Sequence, residues 1–181
     1  MNWILIVVAS LVGLLLLGAA VLFAMGTGKD ANRMTGSIVI HQKPEAIWPW
    51  LYHPEKVKRW VSWLEEIRED RSGEPMVGGK AVWVMHDPNN GNARMEITGV
   101  VQAVEPARRI EVALSAPEGF KGTNTYTLTP LPDGSTRLEY DSRYVFDNAF
   151  ARFMTPVICW QAKKKMADDE SHLRTLVEAA K

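Results

Sequence analysis

The stretch KPEAIWPWLYHPEKVKRWVSW, Lys43–Trp63, holds four of the seven tryptophans of this 181-residue chain. Pro44 and Pro54 each precede a glutamate, and a Pro-Glu pair suits the first turn of a helix. The backbone N–H that proline lacks would have no partner inside the helix there, and the glutamate lies near the positive end of the helix dipole. Pro49 would interrupt the first helix, because it cannot donate a backbone hydrogen bond. The stretch therefore predicts two short helices, the first of them kinked or ended early.

Segments typical of β-strands flank this stretch on both sides. Ser37–His41 before it is short and β-branched. Turn signals at Asn90-Gly91 and Asp133-Gly134 favour tight hairpins. The chain therefore predicts a first strand followed, after the short helices, by a meander of about six antiparallel strands. The segments singled out in the meander are GGKAVWVMHD, ARMEITGVVQAV, RRIEVALSA, TNTYTLTPL and TRLEYDSRYVF.

The C-terminal segment, residues 148–181, is predicted to be helical, with a kink at Pro156. Asp147 and Asn148 are its capping candidates. The charged runs Lys163–Lys165 and Asp168–Glu170 are interpreted as a solvated face with i,i+4 ion pairs. An apolar stripe at helical spacing predicts the buried face; it consists of Met154, Ile158, Ala162, Met166, Leu173 and Val177.

This order of elements resembles the START-like superfamily, also called SRPBCC, which includes polyketide cyclases/dehydrases and Bet v 1-like proteins. The resemblance covers about residues 35–178. It implies an α+β helix-grip fold, in which a curved antiparallel sheet of about six to seven strands surrounds a long C-terminal helix and two short helices follow strand 1. The segments that carry it are SIVIHQKPEAIWPWLYHPEKVKRW, VGGKA, VVQAVEPARRIEVAL and DGSTRLEYDSRY.

The N-terminal segment Trp3–Met25 contains no charged residue. As a helix it would be about 34 Å long, enough to cross a hydrocarbon core of about 30 Å. A cleaved signal peptide is the alternative, but the absence of Lys or Arg ahead of the run and the length of the run favour an uncleaved anchor. We therefore expect a transmembrane helix and linker over residues 1–28 and a START-like domain over residues 29–181.

Basic residues follow the apolar segment and bear on the side of the membrane that the domain occupies. Lys29, Arg33 and Lys43 come after it, and only the terminal amine precedes it, so the positive-inside bias favours a single-pass protein of the cell membrane with a cytoplasmic domain. Basic side chains could also bind anionic lipid, the alternative being ordinary surface solubility. The membrane-surface candidates are Lys29, Arg33, Lys56, Lys58 and Arg59.

The charge balance and the residues of catalytic type exclude several classes of function. Lys and Arg together number 21, as do Asp and Glu, which argues against a nucleic-acid partner. The one cysteine, Cys159, cannot form an intramolecular disulfide. The sequence has no HExxH, GxSxG, P-loop or GxGxxG motif, and its histidines suggest no site, so we predict no catalytic residue, metal or cofactor. Possible polar groups of a pocket, or else charges on the outer sheet face, are Arg68, Glu96, Glu139 and Arg143.

The aromatic and methionine side chains are the candidates for a ligand pocket, because walls of this kind suit apolar ligands. The alternative is that they form only hydrophobic core. If they line a cavity, Trp60→Ala should weaken binding more than it lowers stability. The pocket candidates are Trp48, Leu51, Trp60, Trp63, Trp83, Met85, Met95, Tyr126, Tyr140, Tyr144 and Phe153.

The function predicted from the sequence is membrane-tethered binding or transport of a hydrophobic small molecule or lipid in an apolar cavity. Two alternatives remain at this stage. One is a cyclase-, dehydratase- or aromatase-like enzyme that uses polar pocket residues, and the other is an interaction module with a filled core and no ligand. A cavity would favour the binding protein or the enzyme over the interaction module. The nature of the polar groups in that cavity would then distinguish the enzyme from the binding protein.

Overall fold

The computed structural model describes residues 2–26, 30–69, 73–88, 91–117 and 119–180. Its helices are α1 (Asn2–Gly26), α2 (Pro44–Ile47), α3 (Pro54–Trp60), α4 (Ala149–Phe153) and α5 (Thr155–Ala179), with a 3-10 helix at Trp48–Leu51. Its strands are β1 (Arg33–Ile40), β2 (Leu64–Glu69), β3 (Lys80–Asp87), β4 (Ala93–Glu105), β5 (Arg109–Ala116), β6 (Phe120–Pro130) and β7 (Thr136–Phe146).

The strands form one curved antiparallel sheet in the order β1-β7-β6-β5-β4-β3-β2. Strands β2 to β7 are a meander in which each strand pairs with the next, and β1 closes the row by pairing with β7 from Arg33↔Arg143 to Ile40↔Thr136. Register shifts in β2 and β4 mark bulges, which increase the bend of a sheet. The predicted α+β helix-grip fold is confirmed.

The two short helices follow β1 as the prolines predicted. Pro44 begins α2, and the chain passes into the 3-10 helix at Trp48, one residue before Pro49. Pro54 begins α3 in the same way. Their buried side chains join those of the sheet and of α5 in the main core; they are Ile47, Trp48, Trp50, Leu51, Val57 and Trp60.

The structure differs from the sequence prediction at three places. β2, LEEIRE, is a strand that was not among the segments singled out, because its four charged residues obscure the alternation. The C-terminal helix is not kinked but divided at Met154, where α4 ends and α5 begins with Pro156 in its first turn. The third difference is at the run Asp168–Glu170, where Asp169 and Glu170 are buried rather than solvated. Asn90 lies outside the described residues.

Helix α4 starts where the cap prediction placed it. The Asn148 side chain accepts hydrogen bonds from the backbone N–H groups of Phe150 (2.8 Å) and Ala151 (3.2 Å). This contact satisfies donors that have no partner inside the helix. It also fixes the direction in which the chain leaves β7, and α4 then lies against the end of the sheet from which α5 begins.

Helix α1 is long and apolar enough, over Trp3–Ala24, to span a membrane, and none of that segment is buried against the rest of the chain. It contacts α4 and α5, and its partly buried residues Ala19 and Leu22 lie towards its C-terminal end. The start of β1 lies at this same end, because the N–H of Tyr144 donates to the carbonyl of Asn32 at 3.0 Å. The long apolar helix therefore leaves the domain beside α4.

Candidate functional site: an apolar cavity with a buried carboxyl

A cavity of about 540 Å³ lies between the inner face of the sheet and α5. This volume falls within the range of small-molecule sites, about 300–1,000 Å³. The walls come from β3 to β7, from the segment that follows α3, from α4 and from one side of α5. The apolar part of the wall includes Trp63, Trp83, Met85, Met95, Ile97, Leu114, Phe120, Phe146, Ile158, Ala162 and Met166.

Seven of the eleven pocket candidates lie on the wall of this cavity: Trp60, Trp63, Trp83, Met85, Met95, Tyr126 and Tyr144. The other four do not. Trp48 and Leu51 are buried in the core beneath the short helices. Tyr140 packs with Met34 and Cys159 in a second cluster, and Phe153, at the end of α4, is half-buried away from the wall. The alternating pattern of β7 shows which side chains point inward. It does not show whether such a side chain packs against other side chains or lines a cavity.

Trp60 belongs to both the core and the wall. Its side chain is 4% exposed, and its indole N–H donates to the carbonyl of Trp50 at 2.8 Å. Its ring meets that of Tyr126 edge to face, with 6.4 Å between centroids. The indole donor is thus already bonded, and Trp60 can offer a ligand only apolar surface.

Glycines opposite two tyrosines make room for their rings. Gly36 pairs with Tyr140 across β1 and β7, and a Cβ at Gly36 would lie 2.3 Å from the Tyr140 ring. Gly122 pairs with Tyr144 across β6 and β7, and a Cβ there would lie 2.7 Å from the Tyr144 ring. Real Cβ atoms do not approach so closely. The small residues therefore allow these rings to lie flat over neighbouring backbone, which fixes where their hydroxyls point.

At the α3 end of the cavity, the half-buried Lys165 and the buried Asp169 form an ion pair one turn apart on α5. Asp169 also accepts a hydrogen bond from the backbone N–H of Ser62 at 3.1 Å. The Lys165 ammonium lies 5.0 Å from the centre of the Trp63 ring, a cation–π arrangement. Trp63 itself has φ 71°, a strained backbone conformation for a bulky residue, and these contacts hold it there.

Glu170, the next residue on α5, is a buried carboxyl on the wall of the cavity. Its side chain is 3% exposed, and its Oε1 has no hydrogen-bond partner among the described residues. Burial, together with the neighbouring Asp169 charge, raises the pKa of Glu170 to about 8. The lysine at this end is paired with Asp169, so Glu170 is held mainly in its neutral, protonated form at neutral pH.

Further polar groups border the carboxyl. Burial and then the Glu170 charge raise the pKa of Tyr126 well above its usual value, and the same two causes raise that of Tyr140 to about 12. Burial also raises the pKa of Tyr144, against hydrogen bonds from the Asn124 and Ser142 side chains, which favour its ionised form. Asn124 Oδ1 is buried without a partner in the described part of the chain. The interior of this apolar cavity therefore carries several neutral hydrogen-bonding groups.

Sequence reasoning missed Glu170, although a signal was present. The predicted apolar stripe has a gap between Met166 and Leu173, and position 170 lies at helical spacing within that gap. A glutamate at a stripe position lies either at the edge of the buried face or inside it, where the burial of a carboxyl calls for a structural or functional explanation. The adjacent acidic residues made the run look like a solvated face, and only the packing of α5 against the sheet shows which acids are inside.

The other polar candidates lie outside the cavity. Arg68 and Glu96 form an ion pair (2.6 Å) of partly exposed side chains, and Glu139 and Arg143 are exposed on β7. Their positions fit the alternative interpretation of charges on the outer sheet face. None of the described histidines lines the cavity, and no group of three or more potential metal ligands occurs among the described residues.

The membrane-surface candidates fall into two groups. Arg33, at the start of β1, is paired with Asp141 at 2.7 Å. Lys56 and Arg59, on α3, lie 5.3 and 5.2 Å from the centre of the Trp50 ring, and Lys58 is exposed. Helix α3 packs near the middle of α5, about 21 Å along that helix from its start beside α4. The α3 basic residues are therefore distant from the end of the domain where α1 leaves; Lys29 lies outside the described residues.

Comparison with known proteins agrees with this architecture. A family model described as "Polyketide cyclase / dehydrase and lipid transport" matches residues 31–178. The chain belongs to this family. None of the curated proteins matches the sequence.

Solved structures share the fold at low sequence identity. A Rhodobacter sphaeroides protein is 22% identical with a TM-score of 0.65, and the match covers 83% of this chain and 94% of that one. A Chromobacterium violaceum protein is 18% identical with a TM-score of 0.61, covering 81% and 98%. DynU16, a putative protein in the dynemicin biosynthetic locus, is 18% identical with a TM-score of 0.60, covering 83% of this chain and 48% of its own.

Proposed function

We propose that this family member binds a hydrophobic small molecule or lipid in the cavity between the sheet and α5 while α1 tethers it to a membrane. The observation that carries the proposal is the cavity itself, a space of about 540 Å³ with largely apolar walls. Burying an apolar ligand there would contribute about 25 cal/mol per Å² of surface removed from water. A filled core, as an interaction module would have, does not leave such a space.

The position of α1 supports delivery from the bilayer. Helix α1 contacts α4 and α5, and two α4 residues, Phe150 and Ala151, line the cavity. Phe150 is 71% exposed and Trp160, on α5, is 67% exposed. Aromatic side chains favour the membrane–water interface. A tether at this end would hold the α4 side of the cavity close to the lipid and raise the effective ligand concentration.

A blocking substitution tests the binding function. Ala162 faces the cavity from α5, whereas Ala167 is exposed on the same helix. We expect the full chain in lipid nanodiscs to bind the neutral dye Nile red, Ala162→Trp to abolish binding, and the matched control Ala167→Trp to retain it. Native mass spectrometry with lipid extraction should recover a co-purifying ligand from the unmodified chain and none from Ala162→Trp. Equal dye binding by both variants would contradict a cavity site.

Fractionation tests the tether. We expect the full-length chain to stay with the membrane pellet after washing with alkaline carbonate. Release of a shortened chain that begins after α1 would show instead that the apolar segment is a cleaved signal peptide.

Glu170 supports a second candidate, a cyclase- or dehydratase-like enzyme. A carboxyl with a pKa of about 8 inside a cavity can exchange a proton with a bound substrate near neutral pH, and Tyr126 lies on the same wall. Incubation with poly-β-keto thioester analogues, followed by absorbance and mass spectrometry, tests this activity. Turnover that Glu170→Gln abolishes would favour the enzyme, and its absence with Nile red binding intact would favour the binding protein.

A further inference from the structure

Two oxygens on the cavity wall lack hydrogen-bond partners among the described residues: Glu170 Oε1 on α5 and Asn124 Oδ1 on β6. Leaving a buried polar atom unpaired is costly, and each such atom in a native structure calls for an explanation. Both line the space in which the proposed ligand would lie. A ligand that carries a hydrogen-bond donor would satisfy at least one of them.

The charges around these oxygens limit the chemistry of that donor. The Lys165 ammonium, which could have neutralised Glu170, is bonded to Asp169 and lies over the Trp63 ring. The two tyrosines on this wall, Tyr126 and Tyr144, are neutral at physiological pH, and burial raises the pKa of each further above its usual value. The other cation on the wall, Arg94, is paired with Glu96 at 2.9 Å. A carboxylate or phosphate head group would therefore enter next to the Asp169 charge while both wall cations are already paired, which is unfavourable in a desolvated site.

A hydroxyl fits these groups. Its O–H can donate to the Asn124 amide oxygen or to Glu170 Oε1, and a protonated carboxyl can donate to the hydroxyl oxygen in return. All of these groups are neutral, so none of them needs a counter-ion. A hydroxyl head is uncharged, whereas the head of a free fatty acid is a carboxylate.

We propose that the ligand of this cavity is an apolar molecule with a neutral hydroxyl head, such as a long-chain or polycyclic alcohol, and that Glu170 and Asn124 bind this head. The proposal rests on the binding function proposed above and specifies its ligand class. It also gives Glu170 a recognition role that does not require catalysis.

Competition with molecules that share a twelve-carbon chain and differ in their head group tests this inference. The full chain in lipid nanodiscs is loaded with Nile red, which is displaced by 1-dodecanol, methyl dodecyl ether, dodecanoate or dodecylamine. We expect dodecanol to compete about tenfold better than the ether, which cannot donate, and better than dodecanoate. Each competitor also partitions into the nanodisc lipid. This partition is the same for every variant of the protein, so comparing the variants with one competitor removes its effect.

The variants separate recognition from folding. Glu170→Leu should reduce the advantage of dodecanol over the ether to about twofold or less, whereas Glu170→Gln, which keeps an acceptor, should preserve most of it. Asp168→Leu, an exposed neighbour on α5, should leave it unchanged. Thermal melting and Nile red binding verify that each variant is folded.

Three outcomes would overturn the inference while leaving the binding function intact: equal competition by alcohol and ether, strongest competition by dodecanoate, or strongest competition by dodecylamine, which would indicate an ionised Glu170 paired with an ammonium. Failure of Nile red to bind the unmodified chain would instead refute the proposed binding function, and the hydroxyl site with it.

Discussion

Glu170→Gln should stabilise the protein increasingly as the pH rises. The pKa of Glu170 is raised from 4.5 to about 8 in the folded chain, so the folded state holds the proton more tightly than the unfolded state. Its contribution to stability is therefore fully present below about pH 4.5 and is lost as the pH rises towards 8. Glutamine has nearly the shape of the protonated side chain but cannot ionise, so the variant avoids this loss.

The size of the effect follows from the shift. Each pH unit within this window changes the free energy of unfolding by about 1.4 kcal/mol, so the variant's advantage should grow from near zero at about pH 4.5 to about 3–5 kcal/mol at pH 8. Guanidinium unfolding of the full chain in detergent micelles, followed by tryptophan fluorescence at several pH values, measures it. The control Asp168→Asn changes an exposed acid on the same helix and should show a difference of less than about 0.5 kcal/mol throughout. Parallel stability curves for Glu170→Gln and the unmodified chain would refute the buried, protonated carboxyl.

Three further substitutions test how the site is supported. Trp60→Ala should lower the free energy of unfolding by about 3–5 kcal/mol, because the ring is buried and its N–H is bonded; a loss below about 1 kcal/mol with abolished Nile red binding would show that Trp60 serves only the ligand. Gly36→Ala should destabilise by at least about 1–3 kcal/mol, since the Tyr140 ring occupies the space of the new Cβ, and an unchanged melting temperature would contradict this contact. Asn148→Ala should cost about 1 kcal/mol by removing the α4 cap, with Asn148→Asp as the control expected to retain it; equal melting temperatures for all three chains would rule out the cap.

Local chemistry made much of the fold predictable. Proline and glutamate at the heads of α2 and α3 set where these helices begin, and Pro49 set where the first one tightens into a 3-10 turn. Asn148 capped α4 as expected. Such features act within a few residues, so a sequence displays them directly. β2 was not among the segments singled out, because it is a largely exposed edge strand with four charged residues. The alternation of apolar and polar residues is weak in such a strand.

The pocket candidates were harder to separate. Tyr140 and Tyr144 both point inward from β7, yet one packs against Met34 and the other lines the cavity. Trp48 and Trp63 are both near the short helices, but one is core and the other is wall. Which inward side chain meets a void depends on how far α5 stands from the curved sheet at that point, and this distance is set by many packing contacts together.

By itself, the sequence determined the family, the apolar N-terminal helix and most of the order of elements, because each depends on residue type and short-range spacing. Only the tertiary structure decided that an open cavity remains inside the fold and that Lys165 pairs with Asp169. It also decided that Glu170 lies buried beside them, where no described residue forms a hydrogen bond with Oε1. The burial of a charged residue on an amphipathic helix depends on which face the rest of the fold covers. The stripe gap at position 170 therefore became interpretable only once α5 was seen packed against the sheet.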